Sequence, residues 1–251
     1  MKRFAPTLVL LLMSSAAMAQ GPEPAKSNGA PAAASSTIPA PAAITANTTP
    51  VELARAALTA QGGDKFKNLK SMMLIGSADL YAPTNTQSIP GRFVIVTTGD
   101  KVRIEIDARP LFNFKQVYDG QQSYSSLPGV QMPPPSKFGL PVLAKFDQPG
   151  YTVSALPDKK KLRGFRIADA EGNTTDFYID PATARVMQYL TPYQGYTFGT
   201  ENSKFKEVEG VLVPVNFSQR LETQQGAFFA EYKVKEVKLN QPIGDDVFTM
   251  Q

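Results

Sequence analysis

The side chains available for chemistry in this sequence are carboxylates, amines and hydroxyls, because its 251 residues include no His and no Cys. No imidazole can act as a general base or zinc ligand, and no thiolate can act as a nucleophile. Asp245 and Asp246 are the adjacent acid pair, and neighbouring side chains on an extended chain point to opposite faces. We therefore predict no enzyme, no catalytic residues, no metal and no cofactor. Because Asp, Glu, Lys, Ser and Tyr remain, catalysis is disfavoured rather than excluded.

A second chemically suggestive group is the basic run Lys159-Lys160-Lys161 with Arg163. We interpret it as a solvated hairpin turn before a strand, with an anionic headgroup site as the alternative. The formal net charge is +4, and two of those charges belong to Lys2 and Arg3. Once a signal carrying both is removed, a chain so close to neutrality does not indicate nucleic acid as the partner.

The N-terminal segment MKRFAPTLVLLLMSSAAMA (1–19) has the pattern of a removable secretory signal. A positive start precedes a short apolar run, and Ala17-Met18-Ala19 places small residues before the cut. A transmembrane helix needs about 20 apolar residues, and this run is shorter. The next residue is Gln20 rather than Cys, so we expect a soluble periplasmic protein, cleaved after Ala19, with neither a lipid anchor nor a transmembrane anchor.

Composition then divides the mature chain in two. Residues 20–48 are rich in Ala, Pro, Ser and Gly, which predicts a disordered, Pro-stiffened linker. Thr49-Pro50-Val51-Glu52 has the pattern of a capping box with proline at the first helical position, and Gly62-Gly63 supplies a stop. The sequence therefore predicts an amphipathic helix at the start of a single domain over 49–251.

From Ser71 onward the apolar residues recur with period two, which predicts strands. Val102, Ile104 and Ile106 alternate with charged residues, and Thr98-Gly99-Asp100 marks a hairpin turn before them. Further strands are predicted over 72–81, 114–118, 122–127, 151–156, 163–168, 174–179, 185–191, 196–206, 211–221 and 228–239.

The last of these strands contains a phase change. Tyr232 and Val234 share one parity, whereas Val237 and Leu239 have the other, which predicts a bulge near Lys235-Glu236. About ten antiparallel strands with little helix indicate a mainly β domain, with a barrel, a half-barrel or a sandwich as the candidates.

Residues 128–150 interrupt the strands with a segment that is unusually apolar for a loop. Pro133-Pro134-Pro135 should be extended, and residues 141–146 suit a short helix with proline at its start. We expect a loop this apolar to pack against the rest of the domain. It is either a fixed plug at the end of the core or a movable lid over an apolar cavity.

Three stretches resemble LolA-like periplasmic lipoprotein carriers and the related outer-membrane lipoprotein-sorting proteins. VYDGQQSY (117–124) and FYIDPATARV (177–186) resemble two hairpins of that family. VEGVLVP (208–214), followed by DDVF (245–248), resembles its strand-turn-strand and terminal motif. The order and spacing of these motifs carry the resemblance, which covers residues 51–250.

The resemblance implies a strongly curved antiparallel half-barrel, with helices on its open side and an apolar cavity that holds acyl chains. Two features depart from the family, and one is that the Pro-rich segment 128–150 is longer than a typical carrier's loop. The well-studied carriers have a basic residue near the end of the second strand that helps to hold the lid, and 97–100 (TTGD) offers none.

Two functions follow as hypotheses. The first is a monomeric carrier of lipids or acylated lipoproteins; the second is a sensor or scaffold that binds an envelope protein, with exposed sheet edges available to a partner strand. For the carrier, the predicted lining is Val94, Val96, Val102, Ile104, Ile106, Phe112 and Phe114, with Phe138, Leu140, Leu143 and Phe146 as cover.

Overall fold

The computed structural model of the protein describes residues 37–83, 87–126, 132–223 and 226–249. The predicted signal (1–19) and the first part of the predicted linker (20–36) lie outside the described residues. The helices are α1 (Pro50–Gln61), α2 (Asp64–Lys67) and α3 (Leu140–Leu143), with 3-10 turns at Pro135–Lys137 and Asp245–Phe248. The strands are β1 (Ser71–Tyr81), β2 (Ile89–Thr98), β3 (Lys101–Ala108), β4 (Phe112–Tyr118), β5 (Ser123–Ser125), β6 (Thr152–Ala155), β7 (Arg163–Ala168), β8 (Thr174–Ile179), β9 (Val186–Tyr193), β10 (Tyr196–Val208), β11 (Val211–Thr223) and β12 (Gly226–Leu239).

All twelve strands form one antiparallel sheet in the order β5-β4-β3-β2-β1-β12-β11-β10-β9-β8-β7-β6. Within the described residues the sheet does not close, so β5 and β6 are its two edges. Helix α1 contacts both β7 and β11, which lie four positions apart in the sheet. In a flat sheet these strands would be roughly 19 Å apart, nearly twice the diameter of a helix, so the sheet curves around α1. The predicted mainly β, incomplete barrel is confirmed.

Helix α1 begins and ends where the sequence predicts. The Thr49 hydroxyl accepts from the Glu52 backbone N–H while the Glu52 carboxylate accepts from the Thr49 backbone N–H at 2.8 Å, and Gly62 caps the C-terminus with φ 122°. The hydrogen bonds that the Thr49 backbone N–H and hydroxyl donate to this carboxylate lower the pKa of Glu52. The buried face contains Leu53, Ala57 and Leu58, because small and branched side chains there fit the inside of the curved sheet.

The bulge predicted near Lys235-Glu236 is confirmed. In the β1–β12 pair, Ile75 faces Glu236 and Gly76 faces Val234, which leaves Lys235 without an opposite residue. The insertion returns Val237 to the face that already holds Val234, so the strand keeps its apolar residues inside despite the change of parity.

Two clusters fill the concave side. One joins α1 and α3 to β7–β9, with Phe165, Phe177 and Ile179 fully buried. The other joins β1–β4 to β11 and β12 around Phe93 and Phe217. A third, smaller cluster lies on the convex side of β1–β4, where Phe248 of the C-terminal 3-10 turn covers the sheet.

Residues 37–48, the second part of the predicted linker, contact this domain. Ile44 packs against the α1 cluster, and the Arg163 guanidinium donates to the carbonyls of Thr45, Ala46 and Thr48. The Thr37 backbone N–H donates to the Glu207 carboxylate at 2.9 Å. Composition does not reveal these contacts, because they join backbone groups and one Ile of this segment to residues that are distant in the sequence. In the described ranges, no helix is both long enough and apolar enough to cross a membrane.

Candidate functional site

The main cavity is a space of about 1040 Å³ on the concave side of the sheet. Strands β1–β4 form one wall, β9–β12 form the other, and residues 132–145 lie across them. Because side chains alternate along a strand, the lining residues of β2 are all of one parity, and so are those of β3. The paired residues Ile95 and Ile104, on β2 and β3, show that parity.

An aromatic floor supports the cavity. The Tyr232 ring stacks on Phe217 with centroids 4.7 Å apart and meets Phe93 edge to face at 5.1 Å. Burial raises the pKa of the Tyr232 phenol, because the apolar surroundings disfavour its charged form. These three rings come from β2, β11 and β12, so the floor is assembled from both ends of the domain.

The structure brings most of the predicted lining together. Seven of the eleven residues border the cavity: Val102, Ile104, Ile106, Phe112, Phe114, Phe138 and Leu140. Phe112 and Phe114 stack with centroids 6.4 Å apart, and Phe138 meets Tyr193 edge to face at 5.6 Å. Two features of the sequence predicted them: the alternating apolar residues of β3 and the apolar segment 128–150.

Val94 and Val96 lie on the opposite face of the sheet, which corrects their predicted position. They pack with Val117 and Phe248 on the convex side, while Ile95 and Thr97 of the same strand border the cavity. Because the C-terminal turn covers β2 from outside, this strand is apolar on both faces, and its run of apolar residues does not indicate which parity points inward.

Leu143 and Phe146 also lie away from the cavity, in the cluster around α1. Helix α3 is a single turn with two apolar sides, so Leu140 borders the cavity while Leu143 is fully buried beneath α1. The covering segment therefore anchors itself to the core with one face and closes the cavity with the other.

The far wall was missed, although its signal was present in the sequence. Ala230 and Tyr232 have the parity of the inner face, and their strand was predicted, but neither residue was predicted to line the cavity. The lining also includes the polar residues Gln61, Thr191 and Asn202. The Gln61 amide donates to the Leu212 carbonyl, and its Oε1 atom is buried without a hydrogen-bond partner.

Residues 132–150, the covering segment, are attached to the sheet by polar contacts at several points. Gln116 Nε2 donates to the Pro133 carbonyl at 2.9 Å, and the Gly139 backbone N–H donates to Thr175 Oγ1 at 3.1 Å. Lys145 Nζ lies 2.6 Å from Asp100 Oδ1. Lys67 of α2 pairs with Asp147 at 2.8 Å, which lowers the pKa of that carboxyl.

The acid pair and the basic run both lie in turns, where they contact other side chains. Asp245 and Asp246 lie in a 3-10 turn, and Asp245 pairs with Lys101 at 2.7 Å. Lys159 faces Leu162 in a tight turn and donates to Gln188 Oε1 at 2.9 Å. Among the described residues, no group of three or more Asp or Glu is placed to hold a metal ion.

Comparison by sequence finds neither a matching protein-family model nor a matching curated protein. Solved structures match by fold. A LolA superfamily protein from Nitrosomonas europaea has a TM-score of 0.52 at 12% identity, covering 80% of this chain and 98% of that one. A DUF1329 family protein from Desulfovibrio piger has a TM-score of 0.50 at 11% identity, covering 80% and 98%.

An outer membrane lipoprotein-sorting protein domain from Vibrio parahaemolyticus also matches, with a TM-score of 0.50 at 9% identity, covering 78% of this chain and 97% of that one. At such identities the likeness concerns the fold alone. The chain has a LolA-like fold, as the three sequence stretches predicted.

Proposed function

We propose that this protein is a periplasmic carrier that binds the acyl chains of lipoproteins or other lipids and moves them toward the outer membrane. The observation that carries the proposal is the cavity of about 1040 Å³ between the two apolar walls of the sheet. Binding pockets for small molecules have volumes of about 300–1,000 Å³, so this space is large enough for an acyl chain.

The energetics suit binding without chemistry. Moving an acyl chain from water into an apolar space stabilises the complex by about 0.8 kcal/mol per methylene. The wall residues Ile95, Ile104 and Phe114 supply such surface, and no covalent step is required of them. The export signal predicted at 1–19 and the lipoprotein-sorting domain among the matching folds support the same interpretation.

The proposal is tested on the mature protein, expressed with its own signal and purified from the periplasm without detergent. Native mass spectrometry should detect bound acyl lipid, and palmitic acid should displace a fluorescent fatty acid from the delipidated protein. A protein that neither co-purifies with lipid nor binds palmitic acid, a fluorescent fatty acid or a palmitoylated peptide would overturn the proposal.

A sensor or scaffold that binds an envelope protein is the second candidate. The observation that favours it is the open sheet, in which, within the described residues, the edge strands β5 and β6 each have one neighbouring strand. Unpaired strand edges can accept a strand from another protein. Recovery of a stoichiometric protein partner with a lipid-free cavity would favour this candidate over the carrier.

A further inference from the structure

A second cavity lies on the other side of the covering segment. It has a volume of about 500 Å³ and is bounded by the turns that follow β4 and β7. Its lining is polar and charged, in contrast to the main cavity. Its charged residues are Asp100, Lys137, Lys145, Asp169 and Glu171.

Three residues border both cavities: Asp100, Ser136 and Lys145. Ser136 is only 3% exposed, and the Lys145–Asp100 ion pair closes at 2.6 Å beside it. One layer of side chains therefore separates the apolar space from the polar one. That layer includes an ion pair whose carboxylate is more than half exposed.

The charges of the second cavity are mixed. Lys137 pairs with Glu171 at 2.8 Å, and Asp169 accepts from the backbone N–H of Glu171 at 2.9 Å. With Asp100 and Lys145 included, three carboxylates face two ammonium groups, which leaves an excess of one negative charge. Such a lining favours a ligand that offers both signs, with a cation as its outermost group.

An amphiphile in the main cavity must place its polar head where charges and hydrogen bonds can be satisfied, because an unpaired buried charge is costly. A zwitterionic head can enter between Lys145 and Asp100 because two ion pairs with the ligand then replace the ion pair between the two residues. Its anion pairs with the lysine and its ammonium with the carboxylate, so neither protein group loses an opposite charge. A purely anionic head would leave Asp100 unpaired.

We propose that the polar cavity holds the head group of the carried amphiphile, and that this head group is zwitterionic with a terminal ammonium. The acyl chain occupies the main cavity, the anionic part of the head lies at Lys145 and Lys137, and the ammonium lies among the carboxylates of Asp100, Asp169 and Glu171. This assignment rests on the proposed function, because it presupposes an acyl chain in the main cavity.

The test compares three palmitoyl probes on the full mature chain: palmitic acid, palmitoyl-lysophosphatidylethanolamine and palmitoyl-lysophosphatidylglycerol. The variants are E171Q and K137M, which border only the polar cavity, with E236Q as the control. Glu236 forms a similar exposed ion pair, with Lys238 at 3.1 Å, on a strand position remote from both cavities. Affinities are measured by isothermal titration below the critical micelle concentration.

Wild-type protein should bind the phosphatidylethanolamine probe more tightly than the phosphatidylglycerol probe. E171Q should weaken the former about fivefold, the loss expected for one partly solvated charge-assisted contact, without changing palmitic acid affinity. K137M should weaken both lysophospholipids, and E236Q should change nothing.

Two outcomes separate the claims. If palmitic acid binds but E171Q and K137M leave all three affinities unchanged, the headgroup site is overturned and the carrier stands. If no palmitoyl probe binds wild-type protein, the carrier itself is overturned, and the headgroup site with it.

Discussion

Lys145 Nζ lies 2.6 Å from Asp100 Oδ1, which joins the covering segment to the turn between β2 and β3. In this contact the acid lies in the turn and the lysine lies on the covering segment. It is the one ion pair among the described residues that borders both cavities.

The first prediction concerns this ion pair. Asp100→Asn should speed release of a bound fluorescent fatty acid about threefold, because a partly exposed ion pair contributes up to about 1 kcal/mol. Stopped-flow displacement by excess palmitic acid measures the rate. High salt should speed release from wild-type protein and have little effect on the variant. An unchanged release rate in Asp100→Asn would show that the pair does not restrain the segment.

A second prediction separates the two faces of β2. Ile95→Ser should weaken palmitic acid binding about fivefold, through about 1 kcal/mol of lost apolar contact. The neighbouring Val94→Ser is the matched control, because Val94 is similarly half-buried on the convex side. Both variants are measured by isothermal titration, with urea unfolding to compare stability. Equal loss of affinity in the two variants would contradict the assignment of faces.

A third prediction concerns the bulge. A Cβ atom at Gly76 would lie 2.1 Å from the Lys233 carbonyl oxygen, so Gly76→Ala should cost about 2 kcal/mol in free energy of unfolding. At Gly199 the nearest atom is a Leu190 methyl at 3.2 Å, which can move. Gly199→Ala should therefore cost much less. Urea denaturation of both variants checks the difference, and similar losses would refute it.

The contacts of residues 37–48 lead to a fourth prediction. Arg163→Ala removes the donor to the carbonyls of Thr45, Ala46 and Thr48, so limited proteolysis should cut this segment faster while the domain stays intact. Arg185→Ala, which removes a contact with Phe205 instead, is the control. Mass spectrometry of the digests measures the rate at which residues 37–48 are cut in each variant. Unchanged cleavage in Arg163→Ala would argue against the anchoring role.

A fifth prediction follows from the lowered pKa of Asp147. Because Lys67 favours the charged carboxylate in the folded protein, the pair contributes stability above the ordinary pKa of 3.8 and loses it as pH falls below that value. Asp147→Asn should thus be less stable than wild type by about 0.5 kcal/mol at neutral pH. Thermal unfolding across pH should show the two proteins converging below pH 3.8. A difference that persists in acid would point to another cause.

Local features of the sequence determined much of the architecture. The Thr49–Glu52 box placed the start of α1, the period-two residues placed most strands, and the parity change in 228–239 placed the bulge at Lys235. Each is decided by neighbours in the chain, through capping, pleat and turn geometry. The apolar content of 128–150 likewise showed that this segment packs over something.

Tertiary structure alone decided which apolar residues face the cavity. Val94 and Ile95 are chemically alike, and their faces differ because Phe248, more than a hundred residues away, covers the convex side. The ion pair of Lys145 with Asp100, and the polar cavity beyond it, also depend on turns brought together by the curvature of the sheet. The period of the apolar residues indicates that side chains alternate between the two faces of a strand. Which side is inside depends on what the rest of the chain packs against it.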